Sequence, residues 1–113
     1  MLGDITQAES VYIVTGATDM RKSIDGLCAI VQEKLKMDPS GSSLFLFCGK
    51  RKDRIKVLLK EKDGYVLLYK RLTGTGHYKW PKNSTEAREL TWTQFTWLMQ
   101  GLEIEQPRAI RGS

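Results

Sequence analysis

The sequence predicts an α+β domain, in which a mainly antiparallel sheet of about four or five strands packs against two main helices. Its 113 residues are enough for one compact domain with a single hydrophobic core. Short apolar and alternating runs, each bounded by glycine, proline or charged residues, are typical of strands. Two other segments repeat apolar residues at spacings of three and four, which is typical of helices with one buried side.

The first strand and the first helix follow one another directly. The run "VYIVT", Val11 to Thr15, is β-branched and aromatic, and Gly16 ends it at a turn. From Lys22 to Met37 the spacing predicts an amphipathic helix, which Pro39 terminates. The apolar stripe of this helix consists of Ile24, Leu27, Cys28, Val31 and Leu35.

Three further strands are predicted in the middle of the chain. The run "SLFLFC", residues 43–48, is apolar on both faces, as in a strand at the centre of a sheet. The run "RIKVLLK", residues 54–60, places apolar side chains on one face and mostly basic ones on the other. Asp63-Gly64 then predicts a tight hairpin turn into the next strand, because glycine accepts the positive φ that such turns require.

The last predicted element is a helix from Thr91 to about Gln100. Thr91 and Gln94 have the spacing of a capping box. In this motif the side chain of each residue accepts a hydrogen bond from the backbone N–H of the other. Before this helix, the glycine-bearing stretch "TGTGHYKWP" predicts a loop and a short further strand that Pro81 ends.

The domain organisation follows from these elements. We expect a mobile N-terminal segment at 1–10, one α+β domain at 11–104, and a mobile C-terminal tail at 105–113. The first ten residues do not have the pattern of a secretory signal, and no apolar run is long enough to cross a bilayer, so we expect a cytoplasmic protein without membrane contact. Two cysteines far apart, Cys28 and Cys48, predict buried reduced thiols.

The positive charge of the chain is concentrated in one stretch. Residues 50–71 hold nine basic and three acidic side chains, whereas the formal net charge of the whole chain is +5. Such a localised basic field favours polyanionic partners, above all nucleic acid. The structural alternative is a solvated strand edge on which lysines prevent edge-to-edge pairing. The candidate phosphate-contacting residues are Lys50, Arg51, Lys52, Arg54 and Lys56.

The segment "TDMRKSIDG", residues 18–26, lies where the first helix is predicted to begin. Asp19 is the expected N-cap, since a carboxylate accepts backbone N–H bonds at a helix start. Arg21 and Lys22 oppose the helix dipole there, which leaves a phosphate seat as the second interpretation. If the fold brings this segment near residues 50–56, Arg21 and Lys22 extend the same basic track.

Catalytic signatures are weak in this sequence. His77 is the only histidine, and no nucleophile elbow or metal-ligand spacing is present, so we predict no catalytic residues, no metal site and no cofactor. Aromatic residues near the basic stretch favour either core packing or stacking on exposed bases. These aromatic residues are Tyr65, Tyr69, His77, Tyr78 and Trp80.

Four blocks of the sequence together resemble a known family. They are "VYIVTGATDMRKSIDGLCAIV", "LFLFCGKRKDRIKVLLKEKDGYVLLYKRL", "HYKWP" and "ELTWTQFTWLMQGLEI". In order and spacing they are similar to the TnpB-type accessory proteins of bacterial insertion sequences of family sixty-six, over about Val11 to Ile104. The resemblance implies a small transposition protein that acts with a separate transposase, and it carries no catalytic residues over to this chain.

These observations lead to two functional expectations. The first is an accessory protein of transposition that binds DNA without catalysis through the basic track, positioned by phosphates rather than by base edges. The alternative is a protein-interaction module that docks on the transposase or on a sister accessory protein without touching DNA. The expected partners are therefore DNA, the transposase and the other proteins of the same element.

Overall fold

The protein folds around one mixed sheet, seen here in a computed structural model that describes residues 2–106. The five strands run in the spatial order β4-β3-β2-β1-β5. In chain order they are β1 at Ser10–Val14, β2 at Ser43–Cys48, β3 at Arg54–Glu61, β4 at Gly64–Arg71 and β5 at Ala87–Leu90. Only β1 and β2 pair in parallel, and the other neighbouring strands are antiparallel. The predicted α+β class and mainly antiparallel sheet are confirmed.

Helices cover both faces of the sheet. On one face, helix α1 (Ile24–Ala29) and the π-helical turn that continues it to Lys34 pack on Val14, Phe45 and other apolar residues. On the opposite face, helix α2 (Trp92–Met99) and the segment between β4 and β5 cover a second apolar cluster. The central strand β2 is therefore buried on both faces, as its continuous apolar sequence predicts.

The first helix is shorter than predicted, and its cap differs. The expected start at Lys22 and the N-cap role of Asp19 are both wrong, because α1 begins at Ile24 with Ser23 in the cap position. Asp19 instead accepts a bond from the backbone N–H of Arg21, which turns the chain before the helix starts. The helical hydrogen bonding ends near Leu35, short of the predicted Met37.

The hairpin and the last helix form as predicted, but the turn of the hairpin lies one residue earlier than the predicted Asp63-Gly64. β3 and β4 pair over their full lengths, and Glu61 lies opposite Gly64, so the two turn residues are Lys62 and Asp63. Gly64 is the first residue of β4, and the positive φ predicted for it is wrong. Helix α2 has the complete capping box, in which the Thr91 hydroxyl accepts from the Gln94 N–H and the Gln94 side chain accepts from the Thr91 N–H.

The long segment between β4 and β5 contains no strand over the described residues 72–86, so the short strand predicted in "TGTGHYKWP" is wrong. Side-chain and backbone groups of this segment bond to the end of β1 without forming a strand ladder. The Trp80 indole N–H donates to Val14 O at 2.9 Å, and the Gly16 N–H donates to Pro81 O at 2.9 Å. These bonds fix the segment across the end of β1.

The proposed segment boundaries stay a prediction. Within the N-terminal segment, residues Ile5–Gln7 form a 3-10 turn and Ala8 is buried against the sheet. Met1 of that segment and residues 107–113 of the predicted C-terminal tail lie outside the described residues. Among residues 2–106, no helix is both long and apolar enough to cross a membrane.

Candidate nucleic-acid interface

The basic residues collect at the end of the sheet where the two parallel strands terminate. The chain leaves β1 through residues 15–23 and leaves β2 through residues 49–53, so both connections lie at this end. A backbone bond of 2.8 Å from Thr18 N–H to Cys48 O joins them. In open sheets with parallel strands, ligands bind outside the carboxyl ends of those strands. We call this region the basic end.

The connection between β2 and β3 supplies the first three candidate residues. Lys50 and Arg51 are exposed, whereas Lys52 is half-buried. The backbone of Lys52 is in the left-handed region at φ 60°, which is uncommon for a residue other than glycine. Its N–H donates to Gly49 O at 3.0 Å and its C=O accepts from Tyr78 N–H at 2.7 Å, so its backbone position is fixed on both sides.

Arg54 and Lys56 continue the basic track along β3, on the sheet face that carries α1. The Lys56 ammonium group donates to Lys22 O at 2.7 Å, which ties the start of α1 to the strand. It also lies 5.4 Å from the centre of the Tyr69 ring, and Tyr69 is its direct neighbour on β4. Arg54 is half-buried, and its closest carboxylate contact is Asp53, at 3.7 Å.

The structure brings Arg21 and Lys22 to the same end of the sheet as residues 50–56. The sequence-based prediction required this proximity for the two residues to extend the basic track. Arg21 is highly exposed but makes a bidentate ion pair with Asp19, with its closest bond at 2.8 Å. The bonds from Arg21 hold the pKa of the Asp19 carboxyl far below its ordinary value. The Asp19 carboxylate is therefore ionised and already occupied by a cation.

Two lysines that the sequence does not single out complete the basic end. Residues 78–82 return to the end of the sheet and carry Lys79 and Lys82 towards Lys52. Together with the connection after β2 they enclose a cavity of about 210 Å³ whose lining contains three lysines and no acidic residue. The lining consists of Gly16, Ala17, Gly49, Lys50, Lys52, Trp80, Pro81 and Lys82. We call it the lysine cavity.

The surroundings of Lys52 disfavour its charged form. Partial burial lowers the pKa of the Lys52 ammonium group below its ordinary value of 10.5, and the positive charges of Lys82 and Lys79 lower it further. Like charges brought this close oppose folding unless an anion lies between them. The cavity is smaller than ordinary small-molecule pockets, which are about 300–1,000 Å³, but it is large enough for a phosphate group.

A wider groove of about 610 Å³ adjoins the lysine cavity and shares Lys52 and Lys82 with it. His77, Lys79 and Arg88 also line this groove, and its acidic lining residues are Glu103 and Glu105. Arg88 pairs with Glu105. The free positive charge of the groove therefore lies on its lysine side, next to the smaller cavity.

The aromatic candidates divide between the core and the surface. Tyr78 and Trp80 are 2% and 4% exposed, so core packing is their role. Tyr65 is half-buried, whereas Tyr69 is 53% exposed and His77 is also exposed. Only Tyr69 and His77 of this group present enough surface for a base to stack on.

The cysteines and the acidic residues give no indication of chemistry. Cys48 is fully buried, and burial raises the pKa of its thiol to about 12, so it stays protonated. Cys28 is half-buried, and burial likewise raises its pKa. No cluster of three or more metal-ligating side chains occurs among residues 2–106.

Comparison with known proteins places the chain among mobile-element proteins. A family model described as "IS66 Orf2 like protein" matches residues 9–109. The uncharacterized protein y4hO of Sinorhizobium fredii is 35% identical over 98 residues, which are 87% of this chain and 84% of the relative. The uncharacterized protein y4jC of the same organism is 29% identical over 93 residues, or 82% and 79% of the two chains. No solved structure matches.

Proposed function

Since the chain belongs to the family of IS66 Orf2-like proteins, which are accessory proteins of insertion sequences, we propose that it binds DNA through the basic end. Binding is non-catalytic in this proposal, and the reaction is left to a separate transposase. The family is not known as a catalytic one, and the basic end offers cations rather than an acid, a base and a nucleophile.

One observation supports this proposal above the others. Cations from three separate parts of the chain meet at one end of the sheet, whereas the acidic side chains found between them, Asp19 and Asp53, already face Arg21 and Arg54. The cations outnumber these two carboxylates, so the basic end keeps a positive charge that attracts the phosphates of a polyanion. The residues concerned are Arg21, Lys22, Lys50, Arg51, Lys52, Arg54, Lys56, Lys79 and Lys82.

The shape of the basic end favours contact with the phosphate backbone. Lys50 and Arg51 project from an exposed turn, and the lysine cavity beside them is of a size that admits one phosphate group. The α2 helix lies on the other face, with its stripe against the core, and no helix of the described residues projects from this end for insertion into a groove. Such contacts give affinity and register, and sequence choice then comes from DNA shape or from the transposase.

A triple alanine variant tests the proposal. Lys50→Ala, Arg51→Ala and Lys52→Ala together remove three positive charges from the basic end, and we expect affinity to fall by at least tenfold on every duplex tested. The measurement is fluorescence anisotropy with a duplex from an insertion-sequence end and a scrambled duplex of equal length.

The matched control removes the same charge from the opposite end of the sheet. Lys34 ends the helical segment, Lys36 follows it and Lys62 lies in the β3–β4 turn, all at the end of the sheet where the parallel strands begin. The triple variant of these residues to alanine lowers the net charge equally, so we expect a smaller loss of affinity. Equal losses in both variants would show that overall charge, and not the basic end, governs binding.

The second candidate function is docking on the transposase. It is favoured by Trp92 and Leu102, which are 40% and 43% exposed at the α2 side of the molecule although both are large and apolar. Exposed aromatic side chains are frequent anchors of protein interfaces. If docking is the function, the purified chain co-elutes with the transposase in the absence of DNA, and Trp92→Ala abolishes the co-elution.

A further inference from the structure

The outer edge of the sheet at β4 carries a long row of unused backbone groups. The Leu72 N–H donates to Asp53 O at 2.8 Å, and Glu61 pairs with Gly64 at the hairpin turn. Backbone bonding alternates along antiparallel strands, so the even-numbered residues of β4 bond to β3. The N–H and C=O groups of Tyr65, Leu67, Tyr69 and Arg71 therefore point away from β3, where no described strand accepts them.

The opposite edge of the sheet differs from this one. β5 has only four residues, whereas β4 has eight. The β5 side chain Arg88 is held by Glu105 from the segment that follows α2, and that segment lines the same groove as β5. A short strand beside a covering segment is a protected edge, and a long uncovered strand is a template for pairing.

We propose that the edge of β4 pairs with the same edge of a second copy of this chain. An antiparallel pairing about a two-fold axis at Leu67 places Leu67 opposite the partner's Leu67 and Tyr65 opposite the partner's Tyr69. In this register the outward-pointing groups of one strand meet those of the other, with about 5.5 Å between the Cα atoms of each bonded pair. It also leaves α1 of both copies on the same side of the joined sheet.

The side chains of β4 are complementary to themselves in this register. Val66 lies opposite the partner's Leu68, and Lys70 lies opposite the partner's Gly64, where no side chain opposes its charge. The turn residue Asp63 is placed opposite the partner's Arg71. Within one copy, Arg71 has the like-charged Arg54 as its direct neighbour on β3, so a carboxylate from the second copy relieves a repulsion.

Pairing at this edge goes beyond DNA binding and does not depend on it. Joining two five-stranded sheets edge to edge gives one continuous sheet in which the basic faces of the two β3 strands lie on the same side. Arg54 and Lys56 of each copy would then flank a shared surface about the two-fold axis.

Sedimentation velocity of the full chain, from low micromolar to several hundred micromolar, is the first test. We expect a concentration-dependent dimer and, for Tyr69→Pro, a monomer over the same range. The Tyr69 N–H points to the free edge, so proline there removes a bond of the dimer and none of the β3–β4 pairing. A wild-type chain that remains monomeric throughout, or a Tyr69→Pro variant that folds and still dimerises, would overturn the proposal.

A charge exchange keeps the test decisive if Tyr69→Pro fails to fold. Asp63→Lys and Arg71→Asp each place like charges opposite one another across the two-fold axis, and we expect each to weaken the dimer at least fivefold. The double variant restores opposite charges and is expected to recover most of the dimer affinity. Damage to the hairpin turn alone would persist in the double variant, so additive losses would overturn the register proposed here.

Discussion

At the scale of single residues, the proposed binding role of Lys52 and Lys82 comes with a cost in stability. Burial and two neighbouring lysines lower the pKa of Lys52, which means that the folded protein disfavours its charged form. The unfolded chain binds this proton more readily between the lowered pKa and the ordinary value of 10.5. The free energy of unfolding therefore rises with pH across that interval, and it is reduced by the repulsion at lower pH.

Replacing Lys82 with glutamine separates the two effects. We expect Lys82→Gln to raise the thermal unfolding midpoint at low salt, because one of the charges that repel Lys52 is removed. The same change is expected to weaken DNA binding several-fold, since a phosphate in the lysine cavity loses one cation. Differential scanning calorimetry and anisotropy measure the two quantities.

The control for this change is Lys34→Gln, at an exposed position of the π-helical turn far from the basic end. It is expected to leave both the unfolding midpoint and the DNA affinity close to those of the unchanged chain. A Lys82→Gln variant that is less stable than the unchanged chain would show that Lys82 supports the fold. It would contradict the claim that Lys82 destabilises the fold by repelling Lys52.

At the scale of elements, local signals decided which predictions succeeded. The capping box at Thr91, the hairpin between β3 and β4 and the doubly apolar β2 each depend on residues close in sequence, and all three are confirmed, although the hairpin turns at Lys62-Asp63 rather than at Asp63-Gly64. The start of α1 was predicted wrongly because Asp19 bonds to Arg21, two residues on, and this turn competes with the helix. The strand predicted before Pro81 is absent because residues 78–81 bond to Val14, Gly16 and Lys52 instead.

The capping box of α2 gives a prediction about stability. Thr91→Ala removes the side-chain acceptor of the Gln94 N–H, and we expect a loss of about 1 kcal/mol in the free energy of unfolding. Urea denaturation followed by circular dichroism provides the measurement. Thr93→Ala, at an exposed position inside the same helix, is the control and is expected to be neutral or slightly stabilising. Equal losses at Thr91 and Thr93 would contradict a capping role.

At the scale of the whole molecule, the fold brings basic residues that are far apart in the sequence together at the basic end. The basic stretch at 50–56 is visible in the sequence, because it is continuous. Lys79 and Lys82 are separated from it by a hairpin, and only the bonds that bring residues 78–82 across the end of β1 place them beside Lys52. The sequence does show two lysines close to Trp80, but it does not show that they lie beside Lys52. The chain topology therefore determines where the lysine cavity forms, whereas the composition of the chain determines only that the net charge is positive.

The most direct test of the central proposal is a salt titration of DNA binding by the unchanged chain. A duplex from an insertion-sequence end and a scrambled duplex of equal length are compared between low and moderate salt. We expect binding to both, with log affinity falling against log salt at a slope of about −4 to −5, as for about five neutralised phosphates. Absence of binding to either duplex at low salt would contradict it and make transposase docking the leading function.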